Sequence, residues 1–226
     1  MPKRGKRYRA AAAMVDPIKA YGLEEAVALL AKFPKAKFDE TVELSIHLGI
    51  DPKKADQIVR GSLSLPHGIG KELRVVVFAE GAKAEEARNA GAMVVGSSDL
   101  AEKVLGGWTD FDVAIAAPDM MKFVGKLGKV LGPQGKMPTP KAGTVTTDIG
   151  VAVREFKAGK IEFRNDDGGS VAAPMGKRSF TVEKLRENVK AFIDHLASMR
   201  PSTVKGNFML NASLSASMCP GVRLKV

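Results

Sequence analysis

The stretch LRVVVFA, Leu73 to Ala79, is apolar at six of its seven positions and carries three consecutive valines. A short apolar run without alternation marks a strand buried on both faces, as in parallel sheets covered by helices. FDVAIAA, Phe111 to Ala117, repeats the pattern, and a shorter run, Ala92 to Val95, lies between the two. Helical stretches separate and follow these runs, at Ala82 to Ala90, Ser98 to Leu105 and Asp119 to Val130. The order βαβαβα predicts a three-layer α/β unit of Rossmann-like type. A last helix, Asp148 to Phe156, leads back out of it.

The flanks read differently. Leu23, Ala26, Val27 and Leu30 fall at helical spacing. Val42, Leu44, Ile46 and Leu48 then alternate with Thr41, Glu43, Ser45 and His47, the period of a strand with one wet face. Asp51-Pro52 offers an N-cap and a first-turn proline for a short helix to Arg60, and Gly61 to Pro66 reads as a strand. Beyond the middle, Lys160 to Arg164 and Ser170 to Pro174 read as strands around an Asn165 to Gly169 turn. Leu185, Val189, Phe192, Ile193 and Leu196 form one stripe of a long helix that stops before Pro201. Finally Phe208, Leu210, Ala212, Leu214, Ala216 and Met218 alternate with polar neighbours, chiefly serine and asparagine.

Charge follows the same division. Residues 1–67 hold 12 basic and 8 acidic side chains, residues 68–159 hold 12 and 11, and residues 160–226 hold 11 and 6. Two basic ends therefore enclose a nearly neutral middle. Two separate end domains fit this pattern as well as one shared domain does. Each end is only about 67 residues, a size at which cores are marginal, which favours the ends packing together. The expected fold class is α/β (α+β), a discontinuous two-domain protein. Domain I, residues 1–67 plus 160–226, is an antiparallel sheet with helices on one face, built from both termini. Domain II, residues 68–159, is the inserted three-layer α/β unit.

The net charge of +10 points to an acidic partner, nucleic acid or an anionic surface. One cysteine, Cys219, excludes an intrachain disulfide and a multi-cysteine metal site. No apolar run reaches the ~18 residues of a membrane helix, and Ala10 to Val15 is too short for a signal segment. A cytoplasmic protein without membrane attachment is expected.

Catalytic chemistry is poorly represented. His47, His67 and His195 are scattered, and His195 reads as a solvated side chain. Gly135-Lys136 is followed by Met137, so no phosphate loop forms, and Gly68-Ile69-Gly70 precedes a strand rather than following one. Trp108 reads as core and Cys219 as an inert thiol. The chain is expected to need no cofactor or metal and not to be an enzyme. The alternative is a nucleotide-dependent RNA-processing enzyme using the inserted domain.

Three features suit RNA. The run Lys3, Arg4, Lys6, Arg7, Arg9, with Tyr8 inside it, reads as a flexible arm able to lie along phosphates. Thr41, Glu43 and Ser45 on one strand, and Ser213, Ser215 and Ser217 on another, place short hydrogen-bonding groups on a wet sheet face. Such groups suit ribose 2′-OH and base edges in the shallow groove. Lys37-Phe38 adds a charge and a stacking surface. The loop LGPQGKMPTPKAGTV, Leu131 to Val145, is stiffened by three prolines. It carries Lys136 and Lys141 within a span from Asp119 to Asp148 that holds five lysines and no acid between those limits. It reads as a secondary, phosphate-facing patch.

LGPQGKMPTPKAGTV also resembles the signature segment of the bacterial ribosomal protein L-one family, proteins of the large-subunit mobile stalk. KFDETVELSIHLGIDPKKADQIVRGSLSLPHGIGK (Lys37 to Lys71) and AGKIEFRNDDGG (Ala158 to Gly169) resemble further blocks of that family. The resemblance covers nearly the whole chain. It implies a two-domain protein that binds large-subunit ribosomal RNA chiefly through domain I and assists release of deacylated tRNA from the exit site. It also implies repression of the protein's own operon mRNA, and a monomer off the ribosome. Carried over by position, the RNA-binding residues are Lys37, Phe38, Thr41, Glu43, Ser213, Ser215, Ser217, Met218 and Cys219, and Arg164 is expected to bind RNA beside them. Lys136 and Lys141 form the secondary patch, and Lys6, Arg7 and Arg9 the N-terminal arm. Ser217-Met218-Cys219 stands where the family has Thr-Met-Gly. The cysteine adds a Cβ where backbone approaches RNA closely or takes positive φ, although before Pro220 an extended Cys219 carries no penalty.

Overall fold

The computed structural model describes residues 4–225. Helices α1 (Lys6–Ala12) and α2 (Leu23–Lys32) precede strands β1 (Thr41–Leu48) and β2 (Arg60–Ser64). Next come β3 (Val75–Phe78), α3 (Ala82–Asn89), β4 (Val94–Gly96), α4 (Ser98–Leu105) and β5 (Val113–Ala116). The short turns α5 (Met121–Val124) and α6 (Gly128–Leu131) lead to α7 (Ile149–Ala158). The chain closes with β6 (Lys160–Arg164), β7 (Ser170–Lys177), α8 (Val182–Ser198), β8 (Met209–Ala216) and β9 (Val222–Leu224). Two compact units result. Unit 1 runs up to Gly70 and resumes at Ile161; unit 2 is Lys71–Lys160. The fold is therefore the mixed α/β class expected, with a four-stranded antiparallel sheet, a three-stranded parallel sheet and a small two-stranded sheet. No helix among the described residues is long and apolar enough to cross a membrane.

In unit 1 the antiparallel sheet has the order β7-β1-β8-β9. Leu44 pairs with Ala173 on one side and Leu214 on the other, so apolar residues of three strands meet on the same face. That face is covered by α2 and α8, whose buried stripes include Leu30, Val189 and Phe192. Thr181 caps α8, its hydroxyl accepting from the Lys184 N–H at 3.4 Å. Pro174 is tolerated because β7 is an edge strand. Arg60–Ser64 and Lys160–Arg164 form a separate two-stranded sheet.

In unit 2 the parallel sheet has the order β4-β3-β5, and every residue of β3 is buried, as LRVVVFA requires. Helices α3 and α7 pack together, and α4 packs against α5. Gly159 at φ 110° ends α7 in the left-handed conformation that a side chain would resist. Trp108 is half-buried, tilted against Phe111 at 5.5 Å between ring centroids.

Four local expectations are corrected. Asp51 to Arg60 forms two successive turns rather than a helix, closed by Lys54 N–H on Asp51 O and Gln57 N–H on Lys54 O. The Asn165 to Gly169 turn is present, but its flanking strands diverge into different sheets, because Asn165 bonds Val59 through both backbone and side chain. The helix at Asp119 to Val130 is broken into α-turns and 3₁₀ turns, with Gly125 and Gly128 at the breaks. Leu210 is half exposed because the register shifts between His47 and Leu48, leaving it as a bulge residue.

Asp112 ties β3 to β5. Burial alone would raise its carboxyl, but the Lys71 ammonium at 2.8 Å, the Arg74 N–H at 3.0 Å and the Arg74 guanidinium outweigh it and hold the pKa down to about 2. A carboxyl depressed on folding stabilises the protein above its unfolded value near 3.8 and loses that contribution as pH falls towards 2. Unit 2 should therefore lose about 1 kcal/mol across that window through this group, because water around the half-exposed Lys71 and Arg74 screens the pairs. Trp108-monitored denaturation at pH 5 and pH 2 should show a smaller drop for Asp112→Asn than for the unaltered chain.

Candidate nucleic-acid interface

The outward face of the four-stranded sheet is a set of short cross-strand rows. Ser45 stands opposite Ala172 and Ser213, and Ser213 in turn opposite Arg223. Glu43 stands between Pro174 and Ser215, and His47 between Ser170 and Asn211. At the end of the sheet Thr41 faces Lys177, whose ammonium donates to Thr41 Oγ1 at 2.8 Å. The Ser217 hydroxyl accepts from Thr41 N–H at 3.2 Å, while Ser217 N–H donates to Thr41 O at 3.0 Å. The period of two thus brings Thr41, Glu43, Ser213, Ser215 and Ser217 onto one surface, with Lys177 and Arg223 beside them.

The turn after β8 stands at one end of this surface. Cys219 N–H donates to Ala216 O at 2.9 Å, closing a four-residue turn. Its third residue, Met218, has φ 60° and is the only non-glycine with positive φ among the described residues. Its side chain is 72% exposed. The positive φ thus falls on Met218 rather than Cys219. The Cys219 thiol is half-buried; burial, followed by the nearby Glu40 carboxylate, pushes its pKa up, which suits an unreactive group.

Lys37 and Phe38 precede β1 and are both exposed. Arg164 is exposed at the end of β6, in the two-stranded sheet rather than the four-stranded one. The N-terminal segment is helical from Lys6, not an extended arm; Lys6 and Arg9 are exposed, whereas Arg7 turns inward to Glu40. Lys3 lies outside the described residues. In unit 2, Lys136 folds back, donating to Thr109 O at 2.8 Å with its ammonium 5.2 Å from the Phe111 ring centroid. Lys141 remains exposed, as do Lys122, Lys126 and Lys129. The loop itself is stitched to β5, with Ala116 N–H on Thr144 O at 2.9 Å.

Beneath the surface lies Glu40, 1% exposed. Its Oε1 accepts from Arg7 Nη1 at 3.1 Å and Ala36 N at 2.8 Å, and its Oε2 from Arg178 Nη1 at 2.6 Å. Arg178 also donates to the carbonyls of Ala31, Phe33 and Pro34. His195 is half-buried, edge-on to Phe163, rather than solvated. The roles of Glu40, Lys177, Arg178 and Arg223 were missed in the sequence. Two had a signal. Period two, extended back from Val42, puts Glu40 on the inward face, and Val222-Arg223-Leu224 puts Arg223 outward.

A family model described as the ribosomal protein L1p/L10e family matches residues 30–220. The chain is 53% identical over 224 residues to large ribosomal subunit protein uL1 of Kosmotoga olearia, covering 99% of this chain and 97% of that protein. It is 55% identical over 225 residues to the protein of the same name from Fervidobacterium nodosum, covering 99% and 96%. The corresponding protein of Thermosipho melanesiensis is 54% identical over 225 residues, covering 99% and 97%.

Proposed function

Because the chain belongs to the ribosomal protein L1p/L10e family, we propose that this large-subunit ribosomal protein binds large-subunit rRNA through the outward sheet face of unit 1. In the same reading it assists release of deacylated tRNA from the exit site and represses its own operon mRNA, whose folded segment would occupy the same face. It acts as a binding component of the ribosome rather than an enzyme, and it is a monomer off the ribosome.

The observation that carries this reading is the row geometry. Thr41, Ser45, Ser213 and Ser215 present hydroxyls from a rigid backbone, so little side-chain entropy is lost when they meet ribose or base edges. Lys37, Lys177 and Arg223 supply phosphate contacts around them, which position without reading sequence. Glu43 is the one acid in the middle of that face, and its carboxylate accepts from a guanine amino group or a 2′-OH. Unit 2, with Lys141 and the exposed lysines near it, is a secondary phosphate contact.

Filter binding tests this. The full chain should bind a folded large-subunit rRNA fragment at least a hundredfold more tightly than a random duplex of equal length. Both affinities should fall steeply with salt. Equal affinity for the two RNAs would reject the reading.

A further inference from the structure

We propose that Glu40 is the positioning residue of this interface: it touches no RNA, yet it fixes the segments that do. The inference rests on the RNA-binding reading above. A buried carboxylate is costly unless it is paired and hydrogen-bonded. Glu40 is satisfied by groups drawn from three separate parts of the chain, and each part carries candidate contact residues.

The first part is α1. Arg7, held at 3.1 Å, lines a groove of about 350 Å³ together with Arg4, Tyr8, Met218 and Cys219. The second is the segment before β1. Ala36 N–H, held at 2.8 Å, fixes the backbone next to Lys37 and Phe38. Phe38 lines a second groove, of about 340 Å³, whose wall includes Glu40 itself and Arg178. The third is the end of β7. Arg178 is held at 2.6 Å, and its neighbour Lys177 donates to Thr41 Oγ1. Cys219 Sγ lies 4.0 Å from Oε2, so the Met218 turn packs against the same carboxylate. One side chain therefore stands between two grooves and supports both.

The cluster is not optimised for stability alone. Arg178 Nε is buried without an acceptor, a desolvation cost that an apolar core would not carry. What the charges supply that apolar groups would not is direction: two carboxylate oxygens fix three donors at defined angles.

Two substitutions test the role. Glu40→Gln adds one unit of positive charge, so charge alone predicts tighter RNA binding and a steeper salt slope. Positioning predicts the opposite, about tenfold weaker binding to the rRNA fragment with a slope no steeper. Glu40→Asp keeps the charge, and its carboxylate is one methylene too short to reach all three donors at once. It should weaken binding about fivefold while the chain remains folded by circular dichroism. In a Phe38→Ala/Met218→Ala background both substitutions should cost less than they do in the unaltered chain, because two of the contact side chains they position are gone. If the unaltered chain prefers the rRNA fragment but both Glu40 variants bind it as tightly, the positioning role is overturned and the functional reading stands. Losses that persist in full in the double-alanine background overturn it as well. If the unaltered chain shows no preference for the fragment, the functional reading itself has failed.

Discussion

Arg178→Met should destabilise unit 1 by about 3–5 kcal/mol, because it strips a buried carboxylate of its closest partner. The Arg178 side chain is 7% exposed and Glu40 1%, so water cannot replace what is lost. Three carbonyls, of Ala31, Phe33 and Pro34, lose a donor at the same time. Arg7 remains as the only guanidinium on Glu40, from a short helix at 3.1 Å. Methionine fills much of the volume, so the loss is electrostatic rather than a cavity. The thermal transition should drop by roughly 10–15 °C. The chain offers an internal control, because its one tryptophan, Trp108, lies in unit 2. Far-ultraviolet circular dichroism should show the early transition while Trp108 fluorescence unfolds where it did before. Arg178→Lys should fall between the two, keeping the charge but losing the planar fork that reaches the carbonyls.

Met218→Gly should separate stability from binding. At φ 60° a residue with a side chain is held in a sparsely populated region at a cost of about 1–3 kcal/mol. Glycine removes that cost and adds back about 0.5–1 kcal/mol of unfolded-chain entropy. With the side chain 72% exposed, little packing is lost. Unit 1 should become more stable by about 1 kcal/mol. Affinity for the rRNA fragment should nevertheless fall about tenfold, because the apolar side chain raised by the turn is gone. Met218→Ala should bind as poorly without the gain in stability. A tighter or unchanged complex for Met218→Gly would remove this side chain from the interface.

Strand β1 was readable because its period of two survives intact: Val42, Leu44, Ile46 and Leu48 are all buried and Glu43, Ser45 and His47 are all exposed. Strand β8 was readable only in part. The alternation assigned Leu210 to the core, but a register shift at Leu48 turns it outward, and bulges leave no mark in hydropathy. The broken helix after β5 had its warning in Gly125 and Gly128, which weaken a helix interior without fixing where it breaks. The divergence of β6 and β7 after a good turn signal depends on Asn165 bonding Val59, 106 residues away. The Glu40 cluster was hidden for the same reason. Its partners are 33 and 138 residues distant, so the period of two points Glu40 inward without revealing the two arginines that the topology brings to it. Lys136 shows the converse. Its charge was evident, but its direction, back onto Thr109 and Phe111, depends on tertiary contacts.

We expect RNA to bind chiefly through the plain hydroxyl face of unit 1 rather than through the more conspicuous lysines of unit 2. The most direct test is one titration of the rRNA fragment, at a single salt concentration, with two variants of the full chain. One carries Thr41→Ala, Ser213→Ala and Ser215→Ala; the other carries Lys122→Gln, Lys126→Gln and Lys129→Gln. The first, with its charge unchanged, should lose at least tenfold in affinity, and the second, despite losing three positive charges, should lose less than the first. A hydroxyl variant that binds as the unaltered chain does, beside a lysine variant that binds tenfold more weakly, would move the principal RNA surface to unit 2.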